Sequence, residues 1–248
     1  MNIKSFRSFM QKRVLLSLLI LSFPFGLTAQ NDYSYDYNTE IVWGINKNTS
    51  SGLIGGLIFK HSKAIGNDQF RTMGLELINV KHPNEVRLNS VITGNFFIWA
   101  KEIYLYSIRG QYGREIVLFK KAPQQGIQIN AQFAGGPSIG LMAPYYIEVA
   151  SGSFRSEKVP YKSGEYNFDQ ILGTGNLFQG LFESDVTIGI NLKSSLSFEF
   201  GAFKSNVSGV EMGFLVDAYV QKVEIIPAAE NRAVFPTAFI TFYYGSRR

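Results

Sequence analysis

The chain has 248 residues, no cysteine and a formal net charge of +5 at pH 7. That length suits one large all-β domain. The lack of cysteine excludes disulfides, a lipidated N-terminal cysteine and cysteine-based metal sites or nucleophiles. Hydrophobic residues make up 46%, aromatic residues 15% and charged residues only 17%, too little charge for an ordinary soluble surface and a good match to a barrel whose outside faces lipid.

Residues 1–29 read as a cleaved secretory signal. Lys4, Arg7, Lys12 and Arg13 form a basic start, Val14 to Leu27 an apolar run, and Leu27-Thr28-Ala29 a cut site before Gln30. The apolar run is short for a bilayer span, which needs about 20 residues. Cleavage takes four of the 24 basic residues and none of the 19 acidic ones, leaving +1. The basic balance therefore belongs to the leader and does not signal nucleic-acid binding. Residues 30–248 form the expected barrel domain, and no later run is long enough for a transmembrane helix.

Along the mature chain, Gln30 to Tyr37 is a polar, aromatic lead-in. Strands are expected at Thr39–Asn46, Leu53–His61 and Phe70–Val80, divided by an Asn48–Gly52 turn and a Gly66-Asn67-Asp68 turn signal. Lys81 to Trp99 breaks the alternation and is expected as a loop with a short helical turn, or as a plug. Glu102–Tyr112 returns to strand. Ile116–Phe119 either extends it or forms an apolar patch beside the Lys120–Gln125 connection.

Gly126 to Val149 carries the clearest pattern. Ile127, Ile129, Ala131 and Phe133 point one way and Gln128, Asn130 and Gln132 the other, as successive strand residues do. Pro137 and Pro144 are expected to limit pairing beyond it. Ser151–Gly180 is the longest connection, of the kind that lies outside the cell. Leu181–Leu192 reads as a strand and Lys193-Ser194-Ser195 as a tight turn. Leu196–Phe200, Gly209–Ile225 and Phe235–Gly245 then complete nine candidates, with Phe214, Val216, Ala218 and Val220 facing outward. Single-chain bacterial barrels have even strand numbers. The expectation is therefore a transmembrane antiparallel up-and-down β-barrel of 8–10 strands, closer to ten, with doubt at 116–125 and 205–209. About eight strands leave an interior mostly filled by side chains, ten only a slightly wider one, and either size argues against a general diffusion porin.

Several stretches resemble an outer-membrane β-barrel family of Bacteroidota. They are Lys81-His82-Pro83-Asn84-Glu85, Gly94-Asn95 with Lys101, Gly136-Pro137-Ser138-Ile139-Gly140-Leu141 with Pro144-Tyr145-Tyr146, Phe198-Glu199-Phe200-Gly201, Ala229-Glu230-Asn231-Arg232 and the terminal Tyr244-Gly245-Ser246-Arg247. The resemblance covers the chain from about Thr39 to its end and implies a barrel in the outer membrane. It brings no catalytic residues. Ala143 stands where the family pattern has Lys or a similar residue.

Chemistry is sparse. His61 reads as a rim residue, and His82 as a turn-fixing loop residue rather than an acid/base. Ser138 lacks the G-x-S-x-G spacing of an activated nucleophile and reads as a bend near the rim. Gly110, Gly113, Gly173 and Gly175 precede no helix and form no phosphate loop. Glu183, Asp185, Glu199, Glu211, Asp217 and Glu224 are expected to face the lumen, because charge facing lipid is costly. Arg109, Arg114 and Lys204 are their candidate partners. Trp99, Tyr104, Tyr106, Tyr145, Tyr146, Tyr219, Phe242 and Tyr244 suit interfacial girdles. No catalytic, metal or cofactor site is expected.

The leading functional expectation is a non-enzymatic structural or accessory subunit. It sits in outer-membrane lipid and contacts another envelope protein through Lys81, His82, Glu85, Tyr145 and Tyr146, on segments 81–99 and 138–146. A small selective channel, a rim enzyme acting on lipid and a periplasmic β-sandwich are the alternatives.

Overall fold

The computed structural model describes residues 37–51, 55–66, 68–120, 126–152, 155–176, 178–200 and 205–248. The expected leader and the Lys120–Gln125 connection beyond Lys120 lie outside the described residues, as does Lys204. Thirteen strands follow in chain order: β1 Thr39–Asn48, β2 Gly56–Gly66, β3 Gln69–Val80, β4 Arg87–Asn89, β5 Phe96–Ile98, β6 Ile103–Phe119, β7 Gln128–Pro144, β8 Tyr146–Ala150, β9 Ser156–Pro160, β10 Ile171–Thr174, β11 Asp185–Phe200, β12 Asn206–Val223 and β13 Arg232–Arg247.

Eight long strands close into a ring, in the order β1-β13-β12-β11-β7-β6-β3-β2, and every pairing is antiparallel. Closure leaves no barrel strand with an unpaired edge, which a strand in lipid cannot tolerate. The registers fix the stagger. Asn48 lies opposite Phe239, and the row continues through Gly213, Ser195, Gln132, Glu115, Phe70 and Ala64. Ala64 N–H then donates to the Asn38 carbonyl, so one circuit descends β1 from residue 48 to 38, a shear of ten. Eight strands at this stagger leave an interior that side chains can fill.

Alternation sorts the residues. In β1, Glu40, Val42 and Asn46 are buried in the lumen while Ile41, Trp43 and Ile45 lie on the outer wall. β7 repeats this with Gln128, Asn130 and Gln132 inward and Phe133 exposed, and β12 with Phe214, Val216 and Val220 exposed outward. An apolar exterior around a polar interior marks a transmembrane barrel. No helix among the described residues is long and apolar enough to cross a membrane; the strands do so.

The strand number is eight, because the expected turn at Lys193–Ser195 does not exist. β11 runs straight through it, with Lys193 and Ser195 buried in the lumen and Ser194 on the wall. Polar residues at inward positions resemble a turn in sequence when the interior is itself polar. Ile116–Phe119 extends β6, and the strand expected from Leu181 begins at Asp185, after a short 3₁₀ turn at Leu181–Glu183. β7 likewise continues through Pro137 to Pro144. Ser138 is thus a lumen residue in mid-strand, not a rim bend.

The chain termini and the short connections after β2, β6 and β11 share one end, the turn end. The connections after β1, β3, β7 and β12 share the other. There β4 and β5 form a hairpin, and β10-β8-β9 form a small sheet. Segment 81–99 is therefore a β-hairpin, without a helical turn and outside the lumen. Phe97, Ile98, Tyr145, Ile147, Val149, Tyr161 and Ile171 give the two sheets a shared apolar core. This cap is the one folded body outside the barrel among the described residues.

Candidate functional site

The lumen is a column of shared charges. At the turn end, Arg247 on β13 bonds Glu40 on β1 at 2.6 Å and both carboxylate oxygens of Glu199 on β11. Next, Lys60 on β2 bonds Glu115 on β6 at 2.8 Å, and the Asn130 amide donates to the other Glu115 oxygen at 2.6 Å. Lys193 then bridges Glu76 on β3 at 2.9 Å and Glu211 on β12 at 3.0 Å. Arg109 on β6 reaches Glu76 at 3.2 Å and forks onto Asp217 on β12. Three of these four bases each hold two carboxylates, so each ties together strands that are not neighbours.

These groups are nearly sealed. Arg109, Glu76, Asp217, Glu199 and Glu211 are each 2% exposed or less. A buried charge persists only when paired and hydrogen-bonded. Toward the loop end the column turns apolar. Tyr219 donates to the Ser107 hydroxyl at 2.8 Å, and above it Val80, Leu105, Val223, Ile225 and Phe235 pack together across the mouth. An apolar layer thus covers the charged column at its loop end.

The expected lumen charges divide. Glu199, Glu211, Asp217 and Arg109 lie there. Glu183, Asp185 and Glu224 are exposed at the loop end instead, because β11 only begins at Asp185 and β12 stops at Val223. Arg114 is on the outer wall, opposite in parity to Glu115. Glu40, Lys60, Glu76, Glu115, Lys193 and Arg247 were not singled out. The signal for them is strand parity: Lys60, Glu76, Glu115, Lys193 and Arg247 each share the inward face of their strand with a small or polar residue two positions away, whereas Glu40 has Val42 there.

Ser138 donates to Asp217 at 3.1 Å and accepts from Asn191 at 3.1 Å. It has no histidine beside it and is buried, so it is a spacer in the network. The two hydrogens of the same Asn191 amide are shared between Ser138 and the Gly110, Gly136 and Pro137 carbonyls, each also at 3.1 Å. These carbonyls sit where β6 and β7 lack ladder pairs between Arg109–Ser138 and Tyr112–Gly135. Pro137 has no N–H to give, and a side chain at Gly136 would overlap the Gly110 carbonyl.

The loop-end motifs meet in the cap. The Glu85 carboxylate accepts from the His82 backbone N–H at 3.1 Å and from Lys101 at 2.6 Å. The Lys101 ammonium lies 4.2 Å from the centre of the Tyr104 ring. His82 Nδ1 accepts from the Asn84 N–H at 3.1 Å, and its Nε2 lies 3.2 Å from the Glu230 carbonyl. Asn231 closes the adjoining turn by donating to the Ile226 and Ala229 carbonyls. Ala100 turns the chain inward with a φ of 58°, a left-handed conformation that costs a residue with a Cβ about 1–2 kcal/mol. Burial pushes the Lys101 amine below its ordinary range, and Glu85 opposes that shift.

This placement corrects the expected contact surface. His82 and Tyr145 are buried, and the Tyr145 hydroxyl accepts from the Ile98 N–H at 3.0 Å. Glu85 is engaged by Lys101. Tyr146 donates to Glu183 at 2.7 Å, and Lys81 is half-buried. These residues build the cap. Its exposed apolar side chains are Val86, Val91, Ile92, Phe96 and Trp99, on the β4–β5 hairpin. Of the expected girdle, Phe242 and Tyr244 are on the outer wall, with Tyr244 edge-on to Trp43. Tyr219 faces the lumen. Among the described residues no cluster of three or more His, Cys, Asp or Glu could hold a metal ion.

No protein-family model matches the sequence, and no curated protein matches it. Among solved structures, the chain is similar to Ail, the attachment invasion locus protein of Yersinia pestis. The TM-score is 0.39 at 9% identity, over 86% of this chain and 99% of that one. A second structure of Ail, in complex with the heparin analogue sucrose octasulfate, gives 0.38 at 8% identity over the same shares. Neisserial surface protein A gives 0.40 at 10% identity, over 86% of this chain and 97% of that one.

Proposed function

We propose that the protein is an exported outer-membrane barrel that acts without catalysis, as a structural or accessory subunit whose cap docks another envelope protein. The carrying observation is the β4–β5 hairpin. It sets Phe97 and Ile98 into the apolar core of the cap yet leaves Val86, Val91, Ile92 and Phe96 exposed to solvent. Exposed apolar side chains gathered on one hairpin beyond the lipid zone are what a protein partner covers. The sealed lumen favours this reading over a channel. Ser138, buried in the lumen wall with no histidine beside it, offers a lipid-acting enzyme no exposed nucleophile at the rim. The leader at residues 1–29 and the motif-bearing segments support export to the outer membrane, with the short turns in the periplasm and the cap outside.

The test is purification of the tagged protein from outer membranes in mild detergent, beside an Ile92→Asp/Phe96→Asp variant. The expected result is a stoichiometric partner that the variant loses while its own heat-modifiable mobility is unchanged. A lone barrel, or a partner retained by the variant, sinks the docking surface.

A further inference from the structure

The outer wall carries charge of one sign. Outward positions of the barrel strands hold Lys47, Lys63, Arg71, Arg114, Lys222 and Arg232, and among the described residues no Asp or Glu. Three of these bases stand in one row. Lys63 on β2 is directly opposite Arg71 on β3, and Arg71 is directly opposite Arg114 on β6. All three are exposed. Like charges directly across a ladder repel, and none of the three has an ion-pair partner among the described residues. The nearby Asp68 is held by Lys120 at 2.6 Å. Lys63 and Arg71 lie within three residues of the turn ends of their strands, at the depth of a membrane interface.

The same row continues into an apolar groove. Arg114 is opposite Phe133 on β7, Phe133 opposite Ser194 on β11, and Ser194 opposite Phe214 on β12. Tyr112, Phe133, Leu192, Phe214 and Val216 line a groove of about 550 Å³ on the wall. It exists because Gly135 and Ser194 have little bulk between larger neighbours; a Cβ on Gly135 would come within 2.8 Å of Leu192. By the stagger of the barrel the row climbs from the turn end toward mid-membrane as it passes from Lys63 to Phe214. Bases at an interface joined to an apolar groove running inward match an anionic headgroup joined to an acyl chain.

We propose that Lys63, Arg71 and Arg114 bind the phosphate of an anionic phospholipid in the periplasmic leaflet, with one acyl chain seated between Phe133 and Phe214. The site rests on the placement of the short turns in the periplasm but needs no partner protein, so its test is separate from that of the cap. Purified protein in detergent is titrated with phosphatidylglycerol, phosphatidylcholine and lipid A, and bound lipid is read by native mass spectrometry.

Phosphatidylglycerol should be retained about tenfold or more over phosphatidylcholine, and less so as salt rises. The Lys63→Gln/Arg71→Gln/Arg114→Gln variant should lose that preference. Ser194→Leu should weaken dioleoyl but not dihexanoyl phosphatidylglycerol. Equal retention of the two phospholipids, or an unchanged triple variant, overturns the site. Preference for lipid A overturns the periplasmic assignment, and displacement by millimolar inorganic phosphate overturns the role of the groove. The headgroup and salt comparisons on the unmodified protein decide the matter even if the triple variant does not fold.

Discussion

Lys101 shows how one residue sets the cap. Its ammonium is fully buried, with Glu85 at 2.6 Å and the Tyr104 ring as its neighbours. Glu85→Gln leaves that charge buried and uncompensated, a loss of about 3–5 kcal/mol. Lys101→Met removes the charge itself, and Glu85 keeps the His82 amide, so it should cost clearly less. The pH dependence has a definite sign. Burial lowers the folded pKa of Lys101 below its ordinary 10.5. Under the folded value the amine is charged in both states, and the burial cost is fully present. As pH rises from there toward 10.5, the folded form sheds its proton first and the unfolded form holds more protons, so stability rises. Melting of the cap, followed by the near-ultraviolet signal of Trp99 and its neighbours, should shift upward over that window. Lys101→Met should abolish the shift, and a downward shift would contradict the assignment. The motif that flagged Lys81–Glu85 and Lys101 in sequence thus marks packing. The sequence could not show this, because a buried lysine and an exposed one look alike until their partners are placed.

β7 and β11 mark what alternation can and cannot reveal at the scale of the element. The inward face of β7 was legible from Ile127 to Phe133, where apolar and polar residues alternate without exception. Beyond it, Ala134-Gly135-Gly136-Pro137 carries little hydrophobic contrast, and proline argues against a central strand. The strand continues because Asn191, from the neighbouring β11, supplies donors to the carbonyls left without ladder partners. That remedy is tertiary, so no local reading could anticipate it. Asn191→Ala should leave those carbonyls and Ser138 short of donors in a buried place, costing about 1–3 kcal/mol. Hydrogen exchange at β6 and β7 amides around Gly110 and Ser138 should rise, with little change at the β1–β13 pair across the barrel. Uniform loosening of all strands would show that Asn191 is no local patch. Lys193–Ser195 failed for a related reason: Lys and Ser signal a turn only when the strand's inward side is apolar, and here that side is charged.

The whole molecule is a wall with two unlike faces around a column of paired charges. The apolar exterior and small strand number made the barrel class legible, while the pairing of charges depends on the shear, which only closed registers reveal. Arg109 meets Asp217 and Glu76 because the stagger brings β6, β12 and β3 together across the lumen. Such bases do two things at once: they satisfy carboxylates that could not otherwise be buried, and they block the bore. The unmodified protein should therefore be silent in planar bilayers, since neither the Arg109–Lys193 layer nor the apolar mouth at Leu105 and Phe235 leaves a wet path. Arg109→Ala alone should destabilise the barrel by about 3–5 kcal/mol, because Glu76 and Asp217 lose a shared partner. It should still not conduct, as the apolar mouth remains. Steady conductance by the unmodified protein would mean that the column rearranges in the membrane, and the channel reading would then displace the accessory one.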